Sequence, residues 1–160
     1  MSGWSLVHCS CRRLLRGSVT QSTAKANCHA IGGHLALVSS AEEMAAVQAF
    51  IQSEGIAPTG GTWIDGSDAA QEGVWLTSSG DVMSYFGFTR PEPNGGTFEN
   101  CKRLKGASVQ DEGCNRADRV IAALCELWIK ILTMCSCVFF YFYQIKAFSK
   151  TSLTLTLVYH

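Results

Sequence analysis

The 160-residue sequence predicts one α+β domain, and three observations lead to this prediction. Two helical patterns come first, within residues 20–52, and short aromatic or β-branched runs separated by turn residues follow from Thr62. Helices followed by strands are typical of α+β domains. Four of the eight cysteines lie in the central part of the chain and indicate disulfides, and hence an oxidising compartment: Cys28, Cys101, Cys114 and Cys125.

The first helix is predicted in the segment TQSTAKANCHAIGG. Ala24, Cys28 and Ile31 share one helical face, and Gly32-Gly33 supplies a typical C-terminal stop. We expect His34, directly after these glycines, to pack in the turn.

The second helix is predicted in SSAEEMAAVQAFIQSEG and ends at Gly55. Ser40 and Glu43 fit a capping box, in which each side chain satisfies a backbone N–H of the first turn. The buried face is then predicted to consist of Met44, Val47 and Ile51.

Strands are predicted in the runs TWIDG, GVWLT, VMSYF, CKRLKG and VIAALCEL. We expect Trp63 and Trp75, within two of these runs, to be core residues. Between the third and fourth runs, residues 86–96 hold two of the three prolines and three glycines, which predicts a loop.

The charge distribution excludes one function class and permits another. The net charge is zero, so the electrostatic footprint of a nucleic-acid-binding protein is absent. All 13 acidic residues lie between Glu42 and Glu126, together with six basic ones, which gives that stretch a net charge of −7. An acidic middle is compatible with a hard cation, although a solvated acidic surface explains the same bias.

Residues 128–160 form a separate hydrophobic C-terminal tail. The uninterrupted apolar run from Ile131 to Tyr143 is shorter than the roughly 20 residues of a membrane-spanning helix, and only Leu127–Ile145, with Lys130 inside it, reaches that length. We favour a tail of unknown role outside the domain and keep membrane anchoring as the less favoured alternative. The N-terminus has no uninterrupted apolar segment after basic residues, so we identify no clear signal peptide.

Several motifs from about Ser18 to Leu127 follow one another in a characteristic order: AKANCHAIGGHLALVSSAEE, TWIDGSDAAQEGVWLTSSG, EPN, ENC, QDEGC and LCE. Together they resemble the C-type lectin-like domain. The resemblance implies an α+β fold of two helices and small antiparallel sheets, with a long loop region and two disulfides. It places the domain at residues 18–127 and makes residues 1–17 a segment that is short for the family's first strand.

The disulfide pairing is implied by the same resemblance. Cys28 is expected to pair with Cys125, and Cys101 with Cys114. The partners of the remaining cysteines stay open: Cys9, Cys11, Cys135 and Cys137.

The Glu-Pro-Asn motif suggests what the loop does. Calcium prefers six to eight oxygen ligands, and carboxylates and amide carbonyls on loops suit it. A cis peptide bond before Pro93, as in the family, would direct both neighbouring side chains toward one point. By resemblance, one set of residues binds Ca²⁺ and the sugar hydroxyls together: Glu92, Asn94, Glu99, Gln110 and Asp111. Gln110 departs from the family, which has asparagine there, preceded by tryptophan where this chain has Val109.

The implied function is that of a calcium-dependent carbohydrate-binding lectin. The order Glu92-Pro93-Asn94 resembles the version associated with mannose, fucose and N-acetylglucosamine. A second calcium site, found in some members, would use Asp68, Glu72 and Glu99, although Gly95 replaces an acidic ligand; solvated loop carboxylates are the alternative.

Two other function classes compete with the lectin. The departure at Val109-Gln110 favours a calcium-independent domain that binds a protein or another non-sugar ligand. A glycoside hydrolase needs one protonated and one charged carboxylate, whereas carboxylates gathered on calcium stay ionised. We therefore expect no enzyme. Glycans or glycoproteins are the expected extracellular partners of this secreted or membrane-attached protein, and weak single sites predict a need for multivalent presentation.

Overall fold

The computed structural model describes residues 3–127. In chain order the elements are β1 (Ser5–Val7), β2 (Ser10–Arg16), α1 (Gln21–Ala30), β3 (Gly33–Leu35), α2 (Ala41–Ser53), β4 (Gly61–Ser67), a short 3₁₀ helix (Gly96–Phe98), β5 (Cys101–Lys105), β6 (Ser108–Glu112) and β7 (Val120–Leu127). The α+β class is confirmed, with both predicted helices preceding most of the strands.

The strands join into one seven-stranded sheet. Its order is β1-β2-β7-β4-β5-β6, and β3 pairs with β7 beside that path. Neighbouring strands are antiparallel, except that β4 runs parallel to β7. The sheet therefore brings the N-terminal strands and the last described strand together.

The N-terminal segment forms a β-hairpin. Strand β1 pairs with β2, and β2 pairs with β7 from Arg12 opposite Glu126 to Arg16 opposite Ala122. From the sequence, residues 1–17 look short for the family's first strand. In the structure they contain the seven-residue strand β2, which pairs with most of β7. This strand is hard to recognise in the sequence SCRRLLR because arginines are usually surface residues, whereas Arg12 is fully buried.

Both helices begin with a side-chain cap, and the one at Ser40 is the cap that the sequence predicts. Thr20 caps α1, and Ser40 caps α2 by accepting a hydrogen bond from the N–H of Glu43. The Glu43 carboxylate bonds the N–H of Ser39 at 2.7 Å instead of that of Ser40, so the capping box is displaced by one residue. After α1, Gly32 adopts a φ of +83°, a conformation that favours glycine.

Two disulfides fasten the domain as the family pattern implies. Cys28 is bonded to Cys125, 97 residues away, and joins α1 to β7. Cys101 is bonded to Cys114 at a separation of 13. In the chain-entropy model a closed loop of about 100 residues contributes roughly 4.7 kcal/mol, and one of 15 residues about 3 kcal/mol.

The core lies on both sides of the sheet and contains both predicted tryptophans. Trp63 is fully buried and donates its Nε1–H to the carbonyl of Val19 at 2.8 Å. Trp75 is buried and meets Phe88 edge to face. His34 lies in β3, opposite Glu126 of β7, rather than in the turn.

Between β4 and β5 the chain is mainly irregular. The runs GVWLT and VMSYF form no strands, and only two isolated bridges, Ser67–Leu76 and Leu76–Val82, connect them to β4 and to each other. Each run is short and flanked by turns, so Trp75 and Met83 are buried without a continuous ladder.

No helix within residues 3–127 is long and apolar enough to cross a membrane. The tail at residues 128–160 lies outside the described residues, as do Cys135 and Cys137. Neither Cys9 nor Cys11 is a free thiol, since both are disulfide-bonded.

Candidate functional site

The Glu-Pro-Asn segment lies in the loop that leads to β5. Its Glu92–Pro93 peptide bond is cis, and so is the preceding Arg90–Pro91 bond. Pro93 and Asn94 are exposed, whereas Glu92 is half-buried. The segment thus stands at the surface with one carboxylate turned partly inward.

Asp111 fastens this loop to the sheet. It is buried on β6, and its carboxylate accepts hydrogen bonds from two backbone N–H groups of the loop. The N–H of Asn94 lies 3.1 and 3.0 Å from its two oxygens, and the N–H of Gly95 lies 2.8 Å from Oδ2. Because a β-strand holds its backbone rigidly, Asp111 fixes the position of the motif.

Glycine is required at position 95. A Cβ there would lie 2.2 Å from the Cβ of Glu99 and 2.5 Å from its Oε2. The space that a side chain at position 95 would need is therefore filled by the side chain of Glu99. This close approach brings Glu99 back toward the start of the loop.

Three carboxylates of the predicted set are near neighbours: Glu92, Glu99 and Asp111. Burial raises the pKa of Glu92 to about 7, and the adjacent Asp111 carboxylate and the charge of Glu99 act in the same direction. Burial also raises the pKa of Glu99, and repulsion from Glu112 and Asp111 adds smaller effects in the same direction. The cluster thus has more negative charge than its protein surroundings stabilise.

One oxygen in this cluster is left without a donor. Glu92 Oε2 is buried and has no hydrogen-bond partner in the described part of the chain. Within residues 3–127, no three His, Cys, Asp or Glu side chains converge on a point as a metal site would require. The cluster offers carboxylate oxygens, which are the ligands that a hard cation prefers. In the protein alone, the Asp111 carboxylate accepts hydrogen bonds from backbone N–H groups.

Gln110 is placed differently from the other predicted ligands. Its side-chain oxygen accepts a hydrogen bond from Arg103 Nη2 at 3.0 Å, across the β5–β6 pair. An amide oxygen held by a guanidinium is not free to bind an ion. The structure thus gives Gln110 a partner on the neighbouring strand.

The residues of the second predicted site are only partly assembled. Asp68 is buried, and its Oδ2 accepts a hydrogen bond from the N–H of Gly73 at 3.0 Å. Its Oδ1 has no hydrogen-bond partner among the described residues, and Glu72 is exposed. The backbone of Asp68 bonds the carbonyl of Asn100, next to Glu99.

Sequence reasoning missed the charged residues beneath the loop. Lys102 and Arg103 on β5 and Glu112 on β6 are buried. Burial lowers the pKa of Lys102 to about 8, and its Nζ has no hydrogen-bond partner in residues 3–127 but lies 5.6 Å from the Phe88 ring centre. The run CKRLK predicts a strand, but nothing in it indicates that the side chains on both faces of this strand are buried.

Comparison with known proteins agrees with the fold. The family described as the lectin C-type domain matches residues 17–127. The type-2 ice-structuring protein of Hemitripterus americanus is 29% identical over 126 residues, covering 77% of this chain and 73% of that protein. The alpha-N-acetylgalactosamine-specific lectin of Patiria pectinifera is 26% identical over 130 residues, covering 78% of this chain and 77% of that protein.

Solved structures show the same architecture. A calcium-independent type II antifreeze protein superposes with a TM-score of 0.66 at 26% sequence identity, covering 79% of this chain and 92% of that one. The family match spans well over half of the sequence, and the two disulfides, the capped helices and the order of the strands are in place. This chain belongs to the C-type lectin domain family.

Proposed function

We propose that this protein is a calcium-dependent carbohydrate-binding lectin. Its binding residues would be Glu92, Asn94, Glu99 and Asp111, and its ligands sugars of the mannose, fucose and N-acetylglucosamine type. The observation that carries the proposal is the buried Glu92 Oε2, which receives no hydrogen bond in the described part of the chain and lies in a cluster of carboxylates.

The electrostatics of the cluster support a cation. A buried carboxylate oxygen without a donor is unfavourable, and neighbouring like charges raise the pKa of Glu92 and Glu99. A divalent ion would offset both effects, because it supplies positive charge and accepts several oxygen ligands. The exposed Asn94 is available to add an amide oxygen from the same loop.

Sugar recognition would follow from the same residues. Bound calcium supplies coordination places for two neighbouring sugar hydroxyls. Each hydroxyl then donates its proton to a carboxylate, as Glu92 and Glu99 provide, and accepts from an amide N–H, as Asn94 provides. The order of Glu92 and Asn94 is the basis for the mannose-type specificity.

A second candidate function rests on Gln110. Its oxygen is occupied by Arg103, which removes one predicted calcium ligand. Two of the similar proteins are described as an ice-structuring protein and as a calcium-independent antifreeze protein. The alternative is therefore a calcium-independent domain that binds a protein or another non-sugar ligand.

The metal is tested by titrating calcium into the 160-residue chain in a calorimeter. We expect saturable heat below millimolar calcium, and we expect Glu92→Gln to weaken binding at least tenfold, since it removes a charged ligand. Glu54→Gln, which alters an exposed carboxylate after α2, is the matched control and should leave binding unchanged. Absence of heat up to millimolar calcium, with the protein folded, would defeat the proposal.

The sugar is tested on mannose-agarose. Retention with calcium and elution by EDTA are expected, and free mannose should elute the protein at a lower concentration than galactose. Flow-through in both buffers would favour the calcium-independent alternative. The reverse order of the two sugars would overturn the mannose-type specificity alone.

The proposal assigns binding and no catalysis to these carboxylates. Once paired with a cation, Glu92 is held in its charged form, so it has no proton to give to a glycosidic oxygen. Turnover of a chromogenic mannoside by the calcium-loaded protein would contradict this assignment. The proposal also includes an extracellular location. Several copies of the protein presented together would bind a multivalent glycan more tightly than one copy does.

A further inference from the structure

A second concave region is formed by different residues. It is a cavity of about 420 Å³ between the loop after α2, the end of β5 and the start of β7. We call it the basic cavity, and its polar lining residues are Thr59, Arg103, Lys105, Asp118 and Arg119. Its volume lies in the range of about 300–1,000 Å³ that is typical of small-molecule sites.

The lining has an excess of positive charge. Asp118 is its one acidic residue, and Arg116 binds this carboxylate through two hydrogen bonds of 2.9 Å, which lower the pKa of Asp118 to about 2. The buried Glu112 offsets one more charge, since its Oε2 lies 2.9 Å from Arg103 Nη1 and 3.6 Å from Arg119 Nη1. The three lining cations therefore keep an excess of positive charge after both carboxylates are counted with their partners.

Two of these cations have unused capacity for an anion. Arg103 is 7% exposed, and its buried Nε has no hydrogen-bond partner in the described part of the chain. Lys105 forms no ion pair within residues 3–127. A buried guanidinium N–H without an acceptor is costly, and an anionic oxygen would satisfy it.

We propose that the basic cavity binds a sulfate or phosphate group. Guanidinium groups match the geometry of such oxyanions, and an ammonium group adds a mobile point charge. Thr59, which also lines the cavity, adds a hydroxyl donor. The cavity is larger than one such ion, so it also has room for the sugar ring of a sulfated or phosphorylated monosaccharide.

The basic cavity is separate from the proposed calcium ligands, although its Arg103 also binds Gln110 beside them. Asp111, Asn94 and Glu92 do not line the basic cavity, and calcium would bind to carboxylates that the cavity lacks. Oxyanion binding should therefore persist in EDTA. An experiment in EDTA accordingly separates the two proposals, because loss of the lectin site leaves the oxyanion result unchanged.

The test uses the 160-residue chain in EDTA at pH 7. Sodium sulfate is titrated in a calorimeter, with chloride used to keep the ionic strength constant. We expect saturable binding that Lys105→Gln and Arg119→Gln each weaken about tenfold, because each removes a charged contact. Lys25→Gln, which removes one positive charge from α1, is the matched control and should leave the affinity unchanged. Absence of saturable heat, or equal weakening by Lys25→Gln, would overturn the proposal.

A second titration identifies the source of the oxyanion. N-acetylglucosamine 6-sulfate and N-acetylglucosamine are compared with inorganic sulfate under the same conditions. Tighter binding of the sulfated sugar than of sulfate assigns the cavity to a sulfated glycan, and equal affinity assigns it to the free ion. Equal binding of the unsulfated sugar would contradict the proposal, since no oxyanion would then be needed.

Discussion

Two groups of buried or partly buried charge in this molecule differ in how completely they are paired. One group consists of Arg12, Glu43 and Glu126, where β2, α2 and β7 meet, and the other of Glu92, Glu99 and Asp111 in the long loop region. The first contains a cation between two carboxylates. The second contains carboxylates alone.

In the paired group the opposite charges meet within the fold itself, and only the buried Nε of Arg12 has no hydrogen-bond partner among its described residues. Arg12 is fully buried and binds the carboxylate of Glu43, and its Nη2 lies 3.6 Å from Glu126 Oε2. The N–H and hydroxyl of Ser39 both donate to Glu43 at 2.7 Å. Although burial opposes the effect, these hydrogen bonds and Arg12 lower the pKa of Glu43.

The unpaired group shows the opposite response. Burial and neighbouring carboxylates raise the pKa of Glu92 to about 7, and Glu92 Oε2 receives no hydrogen bond in the described part of the chain. Similar residue types therefore lie in different electrostatic environments. Paired charge indicates a structural contact, whereas surplus charge indicates a place for a ligand.

The largest expected effect is on the paired group. Glu43→Ala leaves the buried Arg12 without its nearest carboxylate, and we expect it to lower the free energy of unfolding by about 3–5 kcal/mol. Urea unfolding followed by circular dichroism measures this loss. Glu42→Ala, at the exposed neighbouring position of the same helical turn, should have a far smaller effect. Equal losses for the two variants would show that Arg12 is not stabilised by Glu43.

A buried lysine offers the next test, because it forms no ion pair with any residue from 3 to 127. Burial lowers the pKa of Lys102 from 10.5 to about 8, with Asp65 acting weakly in the other direction. The unfolded chain thus binds this proton more tightly. Stability should increase as the pH rises from about 8 to about 10.5, and the gain is lost as the pH falls through 8.

Replacing this lysine should stabilise the protein at neutral pH. We expect Lys102→Met to raise the free energy of unfolding at pH 7 by roughly 1–3 kcal/mol and to abolish the increase between pH 8 and 10.5. Urea unfolding at several pH values measures both effects. Lys25→Met is the control and should retain the pH dependence; if Lys102→Met retains it as well, a different group is responsible.

Much of the fold was predictable because local patterns and global contacts agree. Ser40 caps the second helix, and the stripe of Met44, Val47 and Ile51 is buried, as the sequence predicts. Strand β2 was harder to predict, because Arg12 looks like a surface residue until Glu43 and Glu126 approach it from distant parts of the chain. Such pairing is a tertiary effect without a local signature.

The sequence indicated which residue types form the candidate site, but it did not indicate how their side chains are arranged in space. The Glu-Pro-Asn order indicated a cis bond at Pro93, which the structure has. The engagement of Gln110 by Arg103 depends on the register of β5 with β6, where these two residues lie directly opposite each other. The register of the two strands cannot be read from the sequence, so the contact between Gln110 and Arg103 could not be predicted.

The pH dependence of calcium binding tests the unpaired group. A proton on Glu92 competes with a cation, so we expect the calcium affinity to fall about tenfold per pH unit below about 7. Without calcium, the raised pKa gives stability that is present below 4.5 and lost as the pH rises through about 7. Calorimetric titrations from pH 5.5 to 8 measure the affinity, and Glu54→Gln should show the same trend. A constant Kd across this range would contradict protonation of Glu92.

The smallest expected effect concerns the one predicted ligand that has a protein partner. Gln110→Asn shortens the side chain by one methylene, so its oxygen would no longer reach Arg103 Nη2, now 3.0 Å away. We expect calcium to bind about fivefold more tightly, because the amide becomes available beside Asp111. Calcium titration measures the change, and Gln48→Asn on α2 is the matched control. An unchanged or weaker affinity would show that the contact between Arg103 and Gln110 does not limit calcium binding.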